Sequence, residues 1–331
     1  MEERILQTTR DIHGLYPHVH IWGFPIALYL FLGGLAAGIL LFATIYYLKG
    51  KEDDMPFTVK IAPIFTFGFI ILGLLLLVYD LHHKLYVMQL FFTFRIEAPM
   101  SWGAWTLAAV SVLSLLWPLS YLDDIKIYLH QRGWNQLEKI TDIILKIEHK
   151  WLIPRFVIIF FRKNRKYFAY LLLFLSIILG IYTGILLSAF NAHPLWNNSI
   201  LGLLFLVSGV STGSAFVMWL SNNKQERKLM STIDMALIAI EIFFIVHMIM
   251  GMQAGPEAYK QAAHLFLGGE FTVIFWVVFV GFGLVLPFIL EALELKGKHI
   301  PPALPALLVL IGGLIFRIIM VDAGQISEYP F

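Results

Sequence analysis

The sequence contains no cysteine. That absence excludes disulfides, thiolate nucleophiles and cysteine-ligated iron–sulfur clusters from this chain. Charge is scarce too. Asp, Glu, Lys and Arg make up 14% of 331 residues, against 59% apolar, whereas soluble domains carry about a quarter charged. There is no short internal repeat and no low-complexity segment. The apolar stretches do not alternate with polar residues, which argues against a lipid-facing barrel. Only His247 lies well inside an apolar run. No pair of imidazoles stands at matching depth, so a bound haem is not expected. No metal site is expected either.

What the sequence has instead is eight long apolar runs, at about 22–48, 60–81, 101–122, 167–190, 199–221, 231–254, 270–290 and 303–322. A helix of about 20 residues crosses a hydrocarbon layer of roughly 30 Å. In lipid, only helices or closed barrels satisfy the backbone. The expectation is an all-α polytopic membrane protein with eight transmembrane helices, surrounded by membrane lipid and with no nucleic-acid partner.

Basic residues give the orientation. If the N-terminus is outside, the inner face receives Lys49, Lys51, Lys60, ten basic residues from Lys126 to Lys166, Lys224, Arg227, Lys228, Lys296 and Lys298. That is eighteen of the 24 Lys and Arg. Cytoplasmic loops carry such an excess, so both termini are expected outside. The first run is too long for a signal-peptide core and no small-residue cleavage site follows it, so no cleaved leader is expected.

The longest polar interruption, 123–166, is basic and falls inside. Leu137, Ile140, Ile143, Ile144 and Ile147 recur at helical spacing, which predicts an amphipathic helix on the inner membrane surface. The stretch Trp151 to Phe161 is apolar but too short to span, and Pro154 is expected to interrupt it. Gly34-Leu-Ala-Ala-Gly38 in the first run and Gly209-Val-Ser-Thr-Gly213 in the fifth have the spacing that lets membrane helices approach closely.

Residues suited to chemistry collect near the outer face. His13, His18, His20, His82, His83, His193 and His264 lie there, and imidazole exchanges protons near neutral pH. Asp80 ends the second run. His83 would meet it one turn on if the helix continues, and a carboxylate there would orient the imidazole. Tyr16, His18 and His20 precede the first run, with Pro17 breaking any continuous helix through them. Tyr182 lies in the outer half of the fourth. Tyr and His are suitable donors to a quinone carbonyl held between aliphatic and aromatic walls. Charges inside apolar helices are costly and call for a function or a partner. Asp234 and Glu241, two turns apart in the sixth run, are candidates for a proton route or for structural hydrogen bonds, and His247 in the outer half of that run is a further candidate for the route. His247 lies on another face, so a simple relay along one helix is not expected. Arg317 is expected to be compensated by Glu270 or Asp322.

Several segments resemble one family. Pro25-Ile-Ala-Leu-Tyr-Leu-Phe-Leu-Gly-Gly-Leu-Ala-Ala-Gly38 is similar to the first-helix signature of the NrfD/polysulfide-reductase membrane subunits. Asp80-Leu81, Phe94-Arg95 and Ala98-Pro-Met-Ser-Trp-Gly-Ala-Trp105 resemble that family's second-to-third helix connection. Tyr182-Thr-Gly-Ile-Leu-Leu187, followed by Pro194-Leu-Trp196, resembles its fourth helix and exit. The resemblance implies two four-helix bundles in a prokaryotic cytoplasmic membrane. The boundaries would be 1–21 for an outer segment, 22–190 for a quinone-reactive bundle carrying the inner loop, and 191–331 for a second bundle.

It also implies a menaquinone-type site near the outer face and an outer, ferredoxin-like iron–sulfur partner. That partner would be bound to a catalytic subunit, a molybdopterin enzyme or a multihaem cytochrome. Residues matching the quinone neighbourhood are the N-terminal group (Tyr16, His18 or His20), Asp80 and Tyr182. Three histidines before the first helix and two after Asp80 leave open which of them faces the quinone. Proton exchange would then occur at the outer face, and the chain would serve electron transport as an oxidoreductase subunit. A proton- or ion-coupled secondary transporter is the rival reading, favoured by Pro287 and the glycines of the last two helices. A purely structural anchor is the third.

Overall fold

The apolar runs become helices in the computed structural model, which describes residues 22–81, 83–95 and 97–329. Eight helices are long and apolar enough to cross a membrane. In chain order they are Phe24–Leu48, Phe57–Asp80, Pro99–Leu119, Arg165–Ser188, Ile200–Leu220, Lys224–Ala254, Ile274–Leu295 and Ala303–Ile326. No strand occurs among the described residues. Most ends fall within a few residues of the apolar runs. Two differ informatively. The sixth span starts at Lys224 because a polar turn continues the helix beyond the apolar stretch. The seventh runs to Leu295, and so carries Glu291 and Glu294 inside the helix.

The first span is the centre of the molecule. It packs against the second, fourth, fifth and eighth, and nearly all of its residues are buried. The two glycine pairs noted in the sequence meet each other. A Cβ on Gly209 would stand 2.9 Å from the Gly34 carbonyl oxygen, and one on Gly213 would stand 2.7 Å from the Gly38 carbonyl carbon. The backbones of the first and fifth spans therefore touch directly, which is the close approach that small residues permit in lipid. Gly283 and Gly312 do the same for the seventh and eighth spans. Along the rest of the bundle, the second span meets the third, the third meets the fourth, and the fourth meets the fifth. The fifth meets the sixth and the eighth, and the sixth meets the seventh.

The basic loop folds into three helices, Leu122–Gln131, Asn135–Lys150 and Leu152–Lys163. Ile140, Ile143 and Ile147 are all exposed, so the apolar stripe of the middle helix faces away from the protein body. Pro154 does not interrupt the segment, contrary to expectation. It lies in the first turn of Leu152–Lys163, where a helix needs no backbone N–H and a proline is tolerated. The break comes earlier, at Trp151, whose backbone is extended.

The two ends of the bundle are fastened differently. At one, Tyr121 donates a 2.7 Å hydrogen bond to Glu52, and the Arg165 guanidinium lies 3.9 Å from the Tyr121 ring centre. Burial is the largest influence on the Tyr121 phenol and pushes its pKa up. Nearby, buried Glu226 accepts from the Thr58 backbone N–H at 3.1 Å and from the Ser221 hydroxyl. At the opposite end, Trp22 and Gln325 exchange two 2.7 Å hydrogen bonds, backbone to side-chain amide. The Trp196 indole donates to the Met320 carbonyl at 2.7 Å. The first and last spans are thus tied together at their ends.

Candidate functional site

Two groups of side chains stand out, one near the Trp22 end and one buried in the second half of the chain.

The first group centres on Tyr29 and Tyr182, each roughly one and a half turns inside the Trp22 end of its span. Both side chains are buried, at 4% and 5% exposure, on the first and fourth spans, which pack together. The Tyr182 ring meets Trp102 of the third span edge to face, 5.4 Å between centroids. Gly103 beside it has no side chain because a Cβ would land on the Tyr182 ring. Gly73 of the second span plays the same part for Tyr29, whose ring stands 3.3 Å from where a Cβ would be. Four spans thus converge on two phenols. A pair of phenolic donors in an apolar, aromatic-walled setting suits a carbonyl-bearing hydrophobic ligand such as a quinone.

Other expectations fare unevenly. Tyr16, His18 and His20, together with His13 and His82, lie outside the described residues. Asp80 closes the second span and is half-buried. The expected helical contact with His83 does not form by that route, because the helix stops at Asp80 and Leu81 is extended. His83 is exposed and faces the Tyr86 ring at 6.0 Å. Sequence reasoning passes over Tyr29, Trp102 and Gly103. Tyr29 is one aromatic residue in an apolar run, and Gly103 carries no side chain to notice. The resemblance includes both segments but assigns them no role.

The second group is fully buried. Asp234 and Glu241 both face inward, as their spacing predicts, at 0% and 1% exposure. Asp234 Oδ1 accepts from the hydroxyls of Ser211 (2.7 Å) and Ser214 (2.8 Å) of the fifth span. Arg317 is fully buried. It donates to the Ser208 hydroxyl at 2.5 Å and to the carbonyls of Phe205 and Gly313, both at 3.2 Å. Glu241 approaches the same Ser208 hydroxyl and feels the Arg317 charge.

Of the acidic side chains, Glu241 is the one whose charge acts on Arg317. Glu270 is exposed in the turn before the seventh span, out of reach of a guanidinium held in the core. Asp322 lies five residues beyond Arg317 on the same helix, turned by about 140°. His247 joins neither group. It is exposed, and its Nδ1 stands 2.9 Å from the Phe243 carbonyl. Glu291 of the seventh span, fully buried, is not among the residues the sequence singles out.

Among the described residues, no cluster of three or more His, Cys, Asp or Glu side chains has the arrangement of a metal site.

Eight lipid-compatible helices, with charged side chains and phenols buried among them, describe an all-helical integral membrane protein. A family model described as polysulphide reductase, NrfD matches residues 13–327, and the chain belongs to that family. It is 30% identical over 325 residues to "Protein NrfD" of Escherichia coli, covering 93% of this chain and 96% of that protein. It is 31% identical over 323 residues to one of the chains of the polysulfide reductase of Wolinella succinogenes, covering 92% and 94%. A subunit of the selenate reductase of Mesobacillus selenatarsenatis is 23% identical over 323 residues, covering 93% and 75%. Two of these relatives are, by name, parts of multisubunit reductases.

Proposed function

We propose that this chain is the quinone-reactive membrane subunit of a respiratory oxidoreductase. In this reading it exchanges electrons between a menaquinone-type pool and an iron–sulfur subunit docked outside. That partner is in turn joined to a catalytic subunit, a molybdopterin enzyme or a multihaem cytochrome. The chain sits in a prokaryotic cytoplasmic membrane with both termini outside, and its spans form two four-helix bundles. Support for the first bundle is the closed ring of contacts among spans one to four, and for the second the ring among spans five to eight. The orientation rests on the distribution of Lys and Arg.

One observation carries the site: two buried tyrosines, Tyr29 and Tyr182, held among aromatic and apolar walls by four spans. Tyr182 and Tyr29 donate to the carbonyl oxygens of the ligand, and Trp102 walls one side. Asp80 and His83, with His18 or His20 and Tyr16 of the N-terminal segment, exchange protons with the outside. When bound, the quinone supplies the two-electron, two-proton chemistry that this set of side chains lacks. Asp234 and Glu241 are the proposed members of a proton route through the second half.

The test is a quinone analysis of the purified complex, combined with Tyr182→Phe and Asp80→Asn. Bound quinone and at least a tenfold loss of quinone-linked electron transfer in both variants, with partners still assembled, are the expected results. No quinone, or wild-type rates in both, would return the chain to the status of an anchor or a transporter.

A further inference from the structure

Four buried carboxyl groups, Glu226, Asp234, Glu241 and Glu291, and one buried guanidinium occur in the second half of the chain, and the quinone chemistry at Tyr29 and Tyr182 makes no use of Glu291. This glutamate is 0% exposed and neither of its carboxyl oxygens has a hydrogen-bonding partner among the described residues. It lies beside Asp234, whose Oδ2 is also without a partner. Asp234 and Glu291 belong to different spans, the sixth and the seventh, which pack together. Two carboxyl groups facing one another in a low-dielectric interior do not both ionise. A proton between them removes one charge and gives the unpartnered oxygens a hydrogen bond.

The surroundings give this pair a direction. On the Lys296 side, Glu294 is one residue from the end of the seventh span, half-buried, and feels the charge of partly exposed Arg227. Away from that side, Glu241 follows Asp234 by seven residues, about 10 Å along the helix. The fifth span runs antiparallel beside them and presents Ser214, Ser211 and Ser208 at three-residue intervals. Ser214 and Ser211 bond Asp234, and Ser208 stands between Glu241 and Arg317. The ladder ends at Arg317. Its Nη2 stands 3.3 Å from where a Cβ would sit on Gly34 of the first span, five residues from Tyr29. The charged groups facing the pair are Glu241 on one side and Glu294 and Arg227 on the other, while the fifth span contributes hydroxyls. Arg317 is the fixed counter-charge for Glu241 and does not itself pass a proton.

We propose that Glu294, the Asp234–Glu291 pair, Glu241 and Ser208 form a proton path that opens at the inner face and ends at the first span, with Asp234 and Glu291 holding one proton between them. One proton enters at Glu294 from inner water, and one leaves from Glu241 towards the first bundle. Water is the proton carrier across the interval from Asp234 to Glu241. The use of the delivered proton at quinone rests on the function proposed above; the shared proton itself does not.

Two readouts on the intact purified complex separate these ideas. The first is infrared spectroscopy at neutral pH with hydrogen–deuterium exchange. Wild type should show an exchangeable carboxylic-acid carbonyl band that is lost in both Glu291→Gln and Asp234→Asn. An unchanged band in both variants overturns the shared proton. The second uses proteoliposomes with an entrapped pH dye, with turnover driven by menadione or menadiol. Glu291→Gln and Glu241→Gln should lower turnover-linked pH change on the inner-face side at least tenfold. Wild-type pH changes in both overturn the path, as does turnover that requires sodium. Absent turnover in wild type counts against the quinone reading alone, because the infrared result still decides the pair. Glu291→Asp, which keeps the carboxyl, should retain the band and so show that loss in the glutamine variant is not misfolding.

Discussion

At the residue scale, the informative side chains are those whose polar atoms have no room for error. Arg317 is held by Ser208, two carbonyls and the charge of Glu241. Removing one member of a buried pair strands the other, at a cost of roughly 3–5 kcal/mol. Arg317→Met should therefore lower the melting temperature and yield of the purified complex sharply. Combining it with Glu241→Gln should restore part of the loss, because no unpaired charge is then left. Equal or additive losses in that cycle would show that the two do not compensate each other. Gly103→Ala makes a different point. Its Cβ occupies the volume of the Tyr182 ring, so it should mimic or exceed Tyr182→Phe in quinone-linked rate while leaving the charged cluster intact.

These residues also show what a sequence can and cannot disclose. Asp234 and Glu241 are legible because a charge in an apolar run is conspicuous and seven residues is two helical turns. Glu291 is not, since it follows the last apolar residue of its run and reads as the start of a loop. Its burial comes from the sixth span, a partner that no local pattern reveals. The same holds for Ser208, Ser211 and Ser214, which look like packing residues until the facing helix is known. The need of Arg317 for a counter-charge is legible too, yet the carboxylate that meets it belongs to another helix.

At the scale of elements, the close contact of the first and fifth spans is the joint on which the helices depend. Gly34, Gly38, Gly209 and Gly213 leave no volume for side chains. Gly213→Leu should separate these two helices and abolish recovery of a monodisperse complex, whereas Gly68→Leu, where a Cβ meets nothing within 4 Å, should be tolerated. The glycine spacing makes this contact legible one helix at a time, and only the fold pairs the two motifs. The loop helix Asn135–Lys150 is readable from its 3.6-residue period and does form. Pro154 misleads because a proline's effect depends on its position within a helix, and here the helix begins two residues before it.

At the scale of the molecule, the absence of cysteine provides an experimental background. A single introduced thiol is the only target for a membrane-impermeant maleimide. Asn197→Cys should be labelled in intact spheroplasts, and Lys51→Cys only after the membrane is opened. The reverse pattern would overturn the orientation inferred from Lys and Arg. Such a result would also move the proton path's opening to the other compartment, reversing the sign expected from the entrapped dye.

The amide clamp between Trp22 and Gln325 brings the entry to the first span and the exit from the last to one spot on the surface. A short peptide joining Trp22 to the residues just past Gln325 would close the helical body into a ring without stretching any helix. New ends cut into an exposed loop would then give a circular permutant with the same bundle.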